Sequence, residues 1–350
     1  MFEIIIYILL ILSLIYGFYF LIMASGVFRK KKCEIDNNKK NHFAILIAAR
    51  NEETVIKNLI NSLKKQNYPS NKYDVYVIVN NCTDNTLEVA KNAGAKIIEC
   101  KQKVKSKGEV LKYTFNKLKS NDEIDAYVIF DADNVVHREF LNKMNDSINC
   151  GYEVVQGFRD TKNICDNWLS TSYAILYYLQ SLFINKSRFN FGMSSFLNGT
   201  GFMVKKETID RYGYDPKTIT EDIEYTAICA INGIKIAFNE NAITYDEQVT
   251  DFKSSLKQRK RWSFGAIQCL KNYTGSLIKE GIKNKRFECF DVIIFYFGII
   301  FHVLFTIVSL IGIFYNVFYL NNFNSMDVVI YFIMFLINYF IGVVFRMIVI

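Results

Sequence analysis

The sequence predicts an α/β domain with a mostly parallel sheet, set between apolar segments at its two ends. Three observations predict this arrangement. From His42 onward, short apolar runs rich in β-branched residues alternate with amphipathic stretches, as in a parallel sheet covered by helices. Hydrophobic residues make up 51% of the chain and aromatic residues 15%, which is high for a domain that faces only water. Long uncharged runs lie near both ends, and we interpret them as membrane spans.

The first uncharged run, 4–28, would be roughly 37 Å long as a helix at about 1.5 Å per residue, against a hydrocarbon core of roughly 30 Å. It is too long for the apolar part of a cleaved signal peptide and no basic segment precedes it, so we interpret it as an anchor. Two further runs, 292–320 and 328–345, predict about two C-terminal spans. Basic residues border 29–286, whereas the loop 316–327 has none. The positive-inside rule therefore predicts a multi-pass protein of the cell membrane with a cytoplasmic central domain.

The net charge of +8 comes from 42 basic and 34 acidic residues. Many of the basic residues lie beside the predicted spans, where orientation and lipid headgroups explain them, so we expect no nucleic-acid partner. Eight cysteines are scattered singly, without a CxxC pair or a Cys/His cluster of zinc spacing. We expect them to be reduced, buried thiols.

The elements of the central domain follow in order along the chain. Apolar runs predict strands at 43–49, 74–80, 96–100 and 126–132. Amphipathic patterns between them predict helices at 52–66, 85–93 and 107–118. In such sheets ligands bind at the carboxyl ends of the strands, so the segments "RNEE", "NNCTD" and "DADN" are the ones expected to carry function.

Two acidic segments suggest chemistry, and each has an ordinary alternative. Asp131 and Asp133 emerge from the end of a buried strand, and hard oxygen ligands in small number suit Mg²⁺ or Mn²⁺. Solvated loop acids are the alternative, because aspartate is common in turns. Glu221 and Asp222 follow Thr220 at the start of a helical pattern, where a helix cap is the alternative.

Six short segments follow one another along the chain: "AARNEE", "NNCTDNT", "DADN", "NGTGFMV", "TED" and Gln258-x-x-Arg261-Trp262. This ordered set resembles the family 2 inverting glycosyltransferases. In particular, it resembles the membrane-bound branch with the cellulose, chitin, hyaluronan and poly-N-acetylglucosamine synthases and lipid-linked glucosyltransferases. The resemblance covers 43–286. It implies a GT-A fold, which is Rossmann-like and binds a nucleotide-sugar, and transfer from a UDP-sugar to form a β-glycosidic bond.

The resemblance also implies roles for individual residues. Asp131 and Asp133 would bind Mg²⁺ or Mn²⁺ on the diphosphate, and Asp222 would be the base that deprotonates the acceptor hydroxyl. The residues implied on the nucleotide-sugar side are Ala49, Glu52, Asn80, Asp84, Lys107 and Asp131. The residues implied on the acceptor and diphosphate side are Gln258, Arg261, Trp262, Gly199, Thr200 and Glu221.

Several of these assignments have alternatives. Asn80 stands where the family has an aspartate that contacts uracil, and an amide offers the base no charge. Glu52 and Asp84 also suit helix starts. Lys107 belongs to a lysine-rich stretch, for which a solvated face is the alternative. The aromatic stretch 166–185 is ordinarily core, although it is also placed to meet lipid or glycan.

We divide the chain into a transmembrane helix (1–28), a cytoplasmic domain (29–286) with interfacial helices near 161–186 and 254–284, and a C-terminal transmembrane region (287–350). The function predicted from the resemblance is addition of sugars to a growing polysaccharide at the cell membrane. A lipid β-glycosyltransferase is the first alternative, and an inactive scaffold that binds nucleotide-sugar is the second. The expected partners are a UDP-sugar, a glycan or lipid acceptor, membrane lipid and, in a synthase complex, further subunits.

Overall fold

The structure is a computed structural model that describes residues 2–31, 39–104 and 106–318. Its strands are β1 (Phe43–Ala49), β2 (Tyr73–Val79), β3 (Lys96–Glu99), β4 (Ala126–Asp131), β5 (Val135–Val136), β6 (Val154–Thr161), β7 (Phe202–Lys205) and β8 (Ile236–Asp246). In the described residues they form one sheet of order β3-β2-β1-β4-β7-β6-β8-β5.

The helices before the centre of the chain are α1 (Phe2–Ala24), α2 (Ile56–Leu63), α3 (Thr86–Asn92), α4 (Lys107–Leu118) and α5 (Phe140–Asn149). Those that follow are α6 (Trp168–Leu179), α7 (Ser187–Asn190), α8 (Lys206–Tyr212), α9 (Glu221–Asn232), α10 (Phe252–Lys283) and α11 (Phe287–Phe318). A π-helical segment, Gln180–Lys186, joins α6 to α7, and short 3₁₀ turns lie at Ser25–Phe28 and Ser70–Lys72.

Helices cover both faces of the central strands, which explains why these strands are apolar throughout. Along β1 and β4, alternate side chains enter two separate hydrophobic clusters. The first cluster contains residues of α2 and α5, and the second contains residues of α4 and α9. The sheet therefore forms a buried middle layer whose carboxyl edge is left for polar side chains.

The predicted strands and helices between 43 and 132 are confirmed, and β1 and α4 have the predicted bounds. Helix α2 begins only at Ile56, because a turn occupies 52–55. The sheet is mixed: β6 and β8 pair parallel, but the expectation of parallel strands is wrong for β7, which runs antiparallel to β4 and β6. The loop 198–201 leads into β7 from the carboxyl edge, so β7 runs in the opposite direction to β4.

The predicted spans 4–28 and 292–320 fall on α1 and α11. The two helices pack together: Tyr16 donates to the carbonyl of Ile294 (3.4 Å), and Tyr19 donates to the carboxylate of Asp291. Within the described residues, no helix combines the length and the apolarity needed to cross a membrane. The predicted span 328–345 lies outside the described residues. The predicted interfacial segments 161–186 and 254–284 correspond to α6 with its π-helical extension and to α10.

The cysteines depart from the expectation of reduced, buried thiols at Cys150, which is not a free thiol, and at Cys165, which is exposed. Six described cysteines are free thiols: Cys82, Cys100, Cys165, Cys229, Cys269 and Cys289. Cys150 is disulfide-bonded, so the expectation of reduced thiols is wrong there. Spacing along the chain does not report which cysteines lie together in space.

Candidate active site

The segment "DADN" lies at the carboxyl edge of the sheet, where β4 ends. The backbone N–H of Asp131 donates to Asn134 Oδ1 (3.1 Å) and to Thr200 Oγ1 (3.0 Å). The Thr200 hydroxyl in turn donates to Asn134 Oδ1. The turn after β4 is thereby fastened to the loop 198–201. The sequence-predicted metal residues Asp131 and Asp133 therefore stand beside the loop predicted for the acceptor.

Lys107, in the first turn of α4, lies at the centre of this edge with only 21% of its side chain exposed. Its amine donates to Asp131 Oδ1 (2.5 Å) and to the carbonyl of Gly199 (2.7 Å), and lies 3.9 Å from Glu221 Oε1. Burial alone would lower the pKa of Lys107, but Asp131 and Glu221 raise it above its usual value. Lys107 is thus a buried cation that joins the end of β4, the loop 198–201 and the start of α9. It does not belong to a solvated lysine face.

Glu221 and Asp222 begin α9 beside the same loop. Carboxylates suit a helix N-terminus, but the side chain of Thr220 makes no cap. Burial raises the pKa of Glu221 to about 7, a rise that Lys107 opposes and Asp222 reinforces. Burial also raises the pKa of Asp222, against the hydrogen bond from the backbone of Ile223. Since a carboxylate with a raised pKa is a stronger base, Asp222 has the property that a general base needs.

Gly199 separates Asp222 from Lys107. Its backbone φ is +79°, which favours glycine, and a Cβ built on it would lie 3.2 Å from Asp222 Oδ2. Its carbonyl accepts the hydrogen bond from Lys107. The Asp222 carboxylate and the Lys107 amine therefore both lie beside a residue that has no side chain.

Asp133 is buried beside other carboxylates, which disfavours its charged form. Burial, followed by the charges of Asp246 and Asp131, raises the pKa of Asp133 to about 8, although Arg159 opposes the rise. No group of three or more His, Cys, Asp or Glu side chains in the described part of the chain is arranged to hold a metal ion. Two carboxylates on one turn nevertheless fit Mg²⁺ or Mn²⁺ that takes its other ligands from phosphates, because these ions accept oxygen ligands from a substrate.

No motif of the sequence predicted Arg159, which lies near the end of β6. Its guanidinium donates to Asp246 Oδ2 (2.8 Å) and to the carbonyl of Asn198 (2.9 Å), and it lies 3.8 Å from the ring centre of Tyr177. The carboxylate of Asp246 also accepts from Asn134 (2.9 Å). This pair connects the turn after β4 to the loop 198–201 and to α6. The only sequence signal was a cation near the end of the strand segment VVQGFRDT.

On the predicted nucleotide side, Asn80 and Asp84 have structural partners. The amide of Asn80 donates to the carbonyls of Cys100 (3.2 Å) and Gln102 (3.4 Å), which joins the ends of β2 and β3. Asp84 accepts from the backbone N–H of Thr86 (3.1 Å) at the start of α3. The N–H groups of the Asn80 amide are therefore already bonded within the protein. The predicted contact with uracil would compete with these hydrogen bonds.

Ala49 is the last residue of β1, and Glu52 follows the strand at the same edge. The carbonyl of Ala49 accepts from the backbone of Asn80 (3.2 Å), and the backbone N–H of Glu52 donates to Thr86 Oγ1 (2.8 Å). Burial and the charge of Asp131 raise the pKa of Glu52. A cleft of ≈ 380 Å³ opens between Glu52 and Asp133 on one side and the segment 247–254 on the other.

The predicted QxxRW residues lie on α10, where Arg261 is exposed and Gln258 is half-buried. The ring of Trp262 meets Tyr173 and Tyr177 edge to face, at ring-centre distances of 6.2 and 6.5 Å. Trp262 therefore packs α10 against the aromatic face of α6, which limits the ring surface left for a sugar.

The fold is the GT-A fold, an α/β fold with a mixed sheet. The family model described as "Glycosyltransferase like family 2" matches residues 40–265, and the chain belongs to this family. The predicted family and the GT-A fold are thereby confirmed. Membership of the membrane-bound branch and the roles of single residues stay predictions.

Two curated relatives and one solved structure illustrate the similarity. The chain is 24% identical over 283 residues to the probable glycosyltransferase YdaM of Bacillus subtilis, covering 73% of this chain and 64% of that protein. It is 24% identical over 233 residues to the beta-monoglucosyldiacylglycerol synthase of Synechocystis, covering 65% and 48%. The chain thus spans about half to two thirds of their length. A mannosyltransferase of Pyrobaculum calidifontis, solved with GDP-Man and Mn²⁺, matches with a TM-score of 0.57 at 12% identity over 95% of this chain and 97% of that one, which shows the fold alone.

Proposed function

We propose that this chain is a membrane-associated inverting glycosyltransferase that moves a sugar from a UDP-sugar to a lipid acceptor with Mg²⁺ or Mn²⁺. The observation that carries the proposal is the placement of Asp222 and Lys107 on the two sides of Gly199. Lys107 is also bonded to Asp131, on the turn that supplies the metal-type carboxylates. A base and an anion-binding cation therefore share one small space, as displacement at an anomeric carbon requires.

In this proposal Asp222 accepts the proton of the acceptor hydroxyl while that oxygen attacks the anomeric carbon. The bond from that carbon to the diphosphate breaks on the opposite face, so the configuration inverts and a β-glycoside forms from an α-linked donor. Base catalysis of this kind contributes roughly 10²- to 10⁴-fold in rate. Lys107 offers its charge to the departing diphosphate. Asp131 and Asp133 would hold the divalent cation, which supplies further charge neutralisation there.

An apolar lip at the mouth of the cleft favours an acceptor that arrives from a membrane. Trp168 and Phe252, at the first residues of α6 and α10, are 68% and 53% exposed, and their rings lie 6.5 Å apart. Phe252 lies between Asp251 and Ser254, which both line the cleft. Exposed aromatic rings of this kind suit the headgroup level of a bilayer.

The exposed face of α10 continues this lip with alternating apolar and basic side chains. Its exposed apolar residues are Phe252, Leu256, Phe264, Ile267, Ile278 and Ile282. Its exposed basic residues are Lys253, Lys257, Lys260, Arg261, Lys271, Lys279 and Lys283. A helix of this composition binds an anionic bilayer in the plane of the interface. A cytoplasmic position at the cell membrane remains the proposal that follows from the charge pattern of the sequence.

The similarity to enzymes named as monoglucosyldiacylglycerol synthases also supports a lipid acceptor. Transfer to a growing polysaccharide, with partner subunits supplying further membrane segments, stays the alternative prediction. The inactive scaffold is less well supported, because Asp222 and both acids of the DADN turn lie together at one edge.

Radiolabel transfer by membranes that contain this protein tests the proposal. UDP-glucose, UDP-N-acetylglucosamine and UDP-galactose are supplied in turn with Mn²⁺ or Mg²⁺, and the products are separated by organic extraction and by size. We expect label in the organic phase, dependent on metal and absent with Asp222→Asn. Label in a high-molecular-weight fraction would instead support the polysaccharide synthase. Tight UDP binding without transfer from any donor would support the scaffold.

A further inference from the structure

The side chain of Asn198 is buried beside the proposed transfer site, and one of its polar atoms has no partner. Asn198 is 6% exposed. Its backbone N–H donates to Gln156 Oε1 (2.9 Å), and its side-chain Oδ1 accepts from Gln180 Nε2 (3.1 Å). Within the residues that the structure describes, nothing accepts a hydrogen bond from Asn198 Nδ2.

The orientation of this amide is held by its neighbours. Arg159 binds the Asn198 carbonyl and is itself held by Asp246 and the ring of Tyr177. Gln180, which binds Oδ1, is the first residue of the π-helical segment, and such segments recur at functional sites. The free N–H group therefore cannot turn away without breaking the bond from Gln180.

A buried N–H group without a partner is destabilising, and folded proteins retain few of them. The position of Asn198 indicates which ligand could accept a hydrogen bond from its side chain. The next residue, Gly199, faces the Asp222 carboxylate, and its carbonyl binds Lys107. The backbone of Asn198 thus adjoins the residue that contacts both the proposed base and the proposed diphosphate cation.

Strand order distinguishes this position from the base end of a nucleotide-sugar. Asn80 directly follows β2, whereas the loop 198–201 leads into β7. The order β2-β1-β4-β7 separates the two positions by three strand spacings. At about 4.8 Å per spacing the separation is roughly 14 Å. A donor that lies along the carboxyl edge with its base at β2 has its sugar near Asn198.

We infer that Asn198 Nδ2 donates a hydrogen bond to an oxygen of the sugar that is transferred, which makes Asn198 a specificity-determining residue. The inference rests on the proposed function, because it takes a UDP-sugar as the donor. The oxygen belongs to a hydroxyl or an acetamido group of the pyranose, since both accept hydrogen bonds from an amide.

Binding of UDP and of UDP-sugars to the full chain in detergent with Mn²⁺, measured by calorimetry, tests this inference without any acceptor. The readout is the affinity of a UDP-sugar relative to that of UDP. In Asn198→Ala we expect UDP to bind as in wild type and the advantage of the preferred UDP-sugar to fall by roughly three- to tenfold, as the loss of one hydrogen bond implies. Asn198→Asp keeps an oxygen for Gln180 but removes the donor, so it serves if the alanine variant does not fold.

Asn185→Ala is the matched control. Asn185 is also buried, its Oδ1 also accepts a hydrogen bond, from Phe196, and its Nδ2 also lacks a partner in the described residues. We expect this variant to lose stability without any change in the UDP-sugar to UDP ratio. A ratio that is unchanged in both Asn198 variants, or equally reduced in Asn185→Ala, would overturn the inference alone. If wild type binds UDP but none of the UDP-sugars, the proposed donor and the inference fail together.

Discussion

Replacing Glu221 by glutamine should stabilise the protein at alkaline pH, and the gain should vanish in acid. In the folded protein burial raises the pKa of Glu221 from 4.5 to about 7. The folded state therefore keeps a proton that the unfolded chain releases. The stability due to this group is fully present below pH 4.5 and is lost as the pH rises through 7. At 1.36 kcal/mol per pKa unit, the loss is about 3 kcal/mol.

The melting temperature of wild type and Glu221→Gln, measured between pH 5 and pH 8.5 in detergent, gives the difference directly. For a domain of this size about 3 kcal/mol corresponds to roughly 6–12 °C. We expect the variant to melt only slightly higher than wild type at pH 5, which lies just above the unfolded pKa, and much higher at pH 8.5. Glu207→Gln on α8, where the side chain is 73% exposed, is the control, and its difference from wild type should not change with pH. A difference for Glu221→Gln that is constant, or that shrinks as pH rises, would refute the reasoning.

Four further predictions concern the site and its support. Asp222→Asn should abolish sugar transfer while UDP affinity stays nearly intact; an equal loss of both in binding and turnover assays would count against its role as base. Asp133→Ala should weaken UDP binding chiefly when Mn²⁺ is present, and an equal effect in EDTA would argue against a metal ligand. Lys107→Met should weaken UDP binding even in EDTA, because the amine is the buried cation at the site; unchanged affinity would remove it from the diphosphate. Arg188→Met should lower the free energy of unfolding by about 3–5 kcal/mol, because it leaves the buried carboxylate of Asp291 unpaired, and thermal melts should show recovery when Asp291→Leu is added.

Much of the site was predictable because strand ends are local features of a sequence. Asp131 and Asp133 follow an apolar run, and the carboxyl ends of parallel strands meet at one edge. Glu221 and Asp222 were predictable from the resemblance and do lie at that edge, beside Gly199. Asn80 was assigned from alignment with a family pattern, but its amide bonds the carbonyl of Cys100, a contact that no local pattern reports.

The sequence by itself determined the family, the elements of the first half of the sheet and the identity of the acidic residues, because these depend on short patterns along the chain. The tertiary structure decided which of those residues are buried, which carry raised pKa values and which are held by a partner. Arg159 and Asp246 are 87 positions apart, and only the parallel pairing of β6 with β8 brings them together. Charge interactions at the site depend on burial and on such distant contacts, and both arise only when the sheet forms.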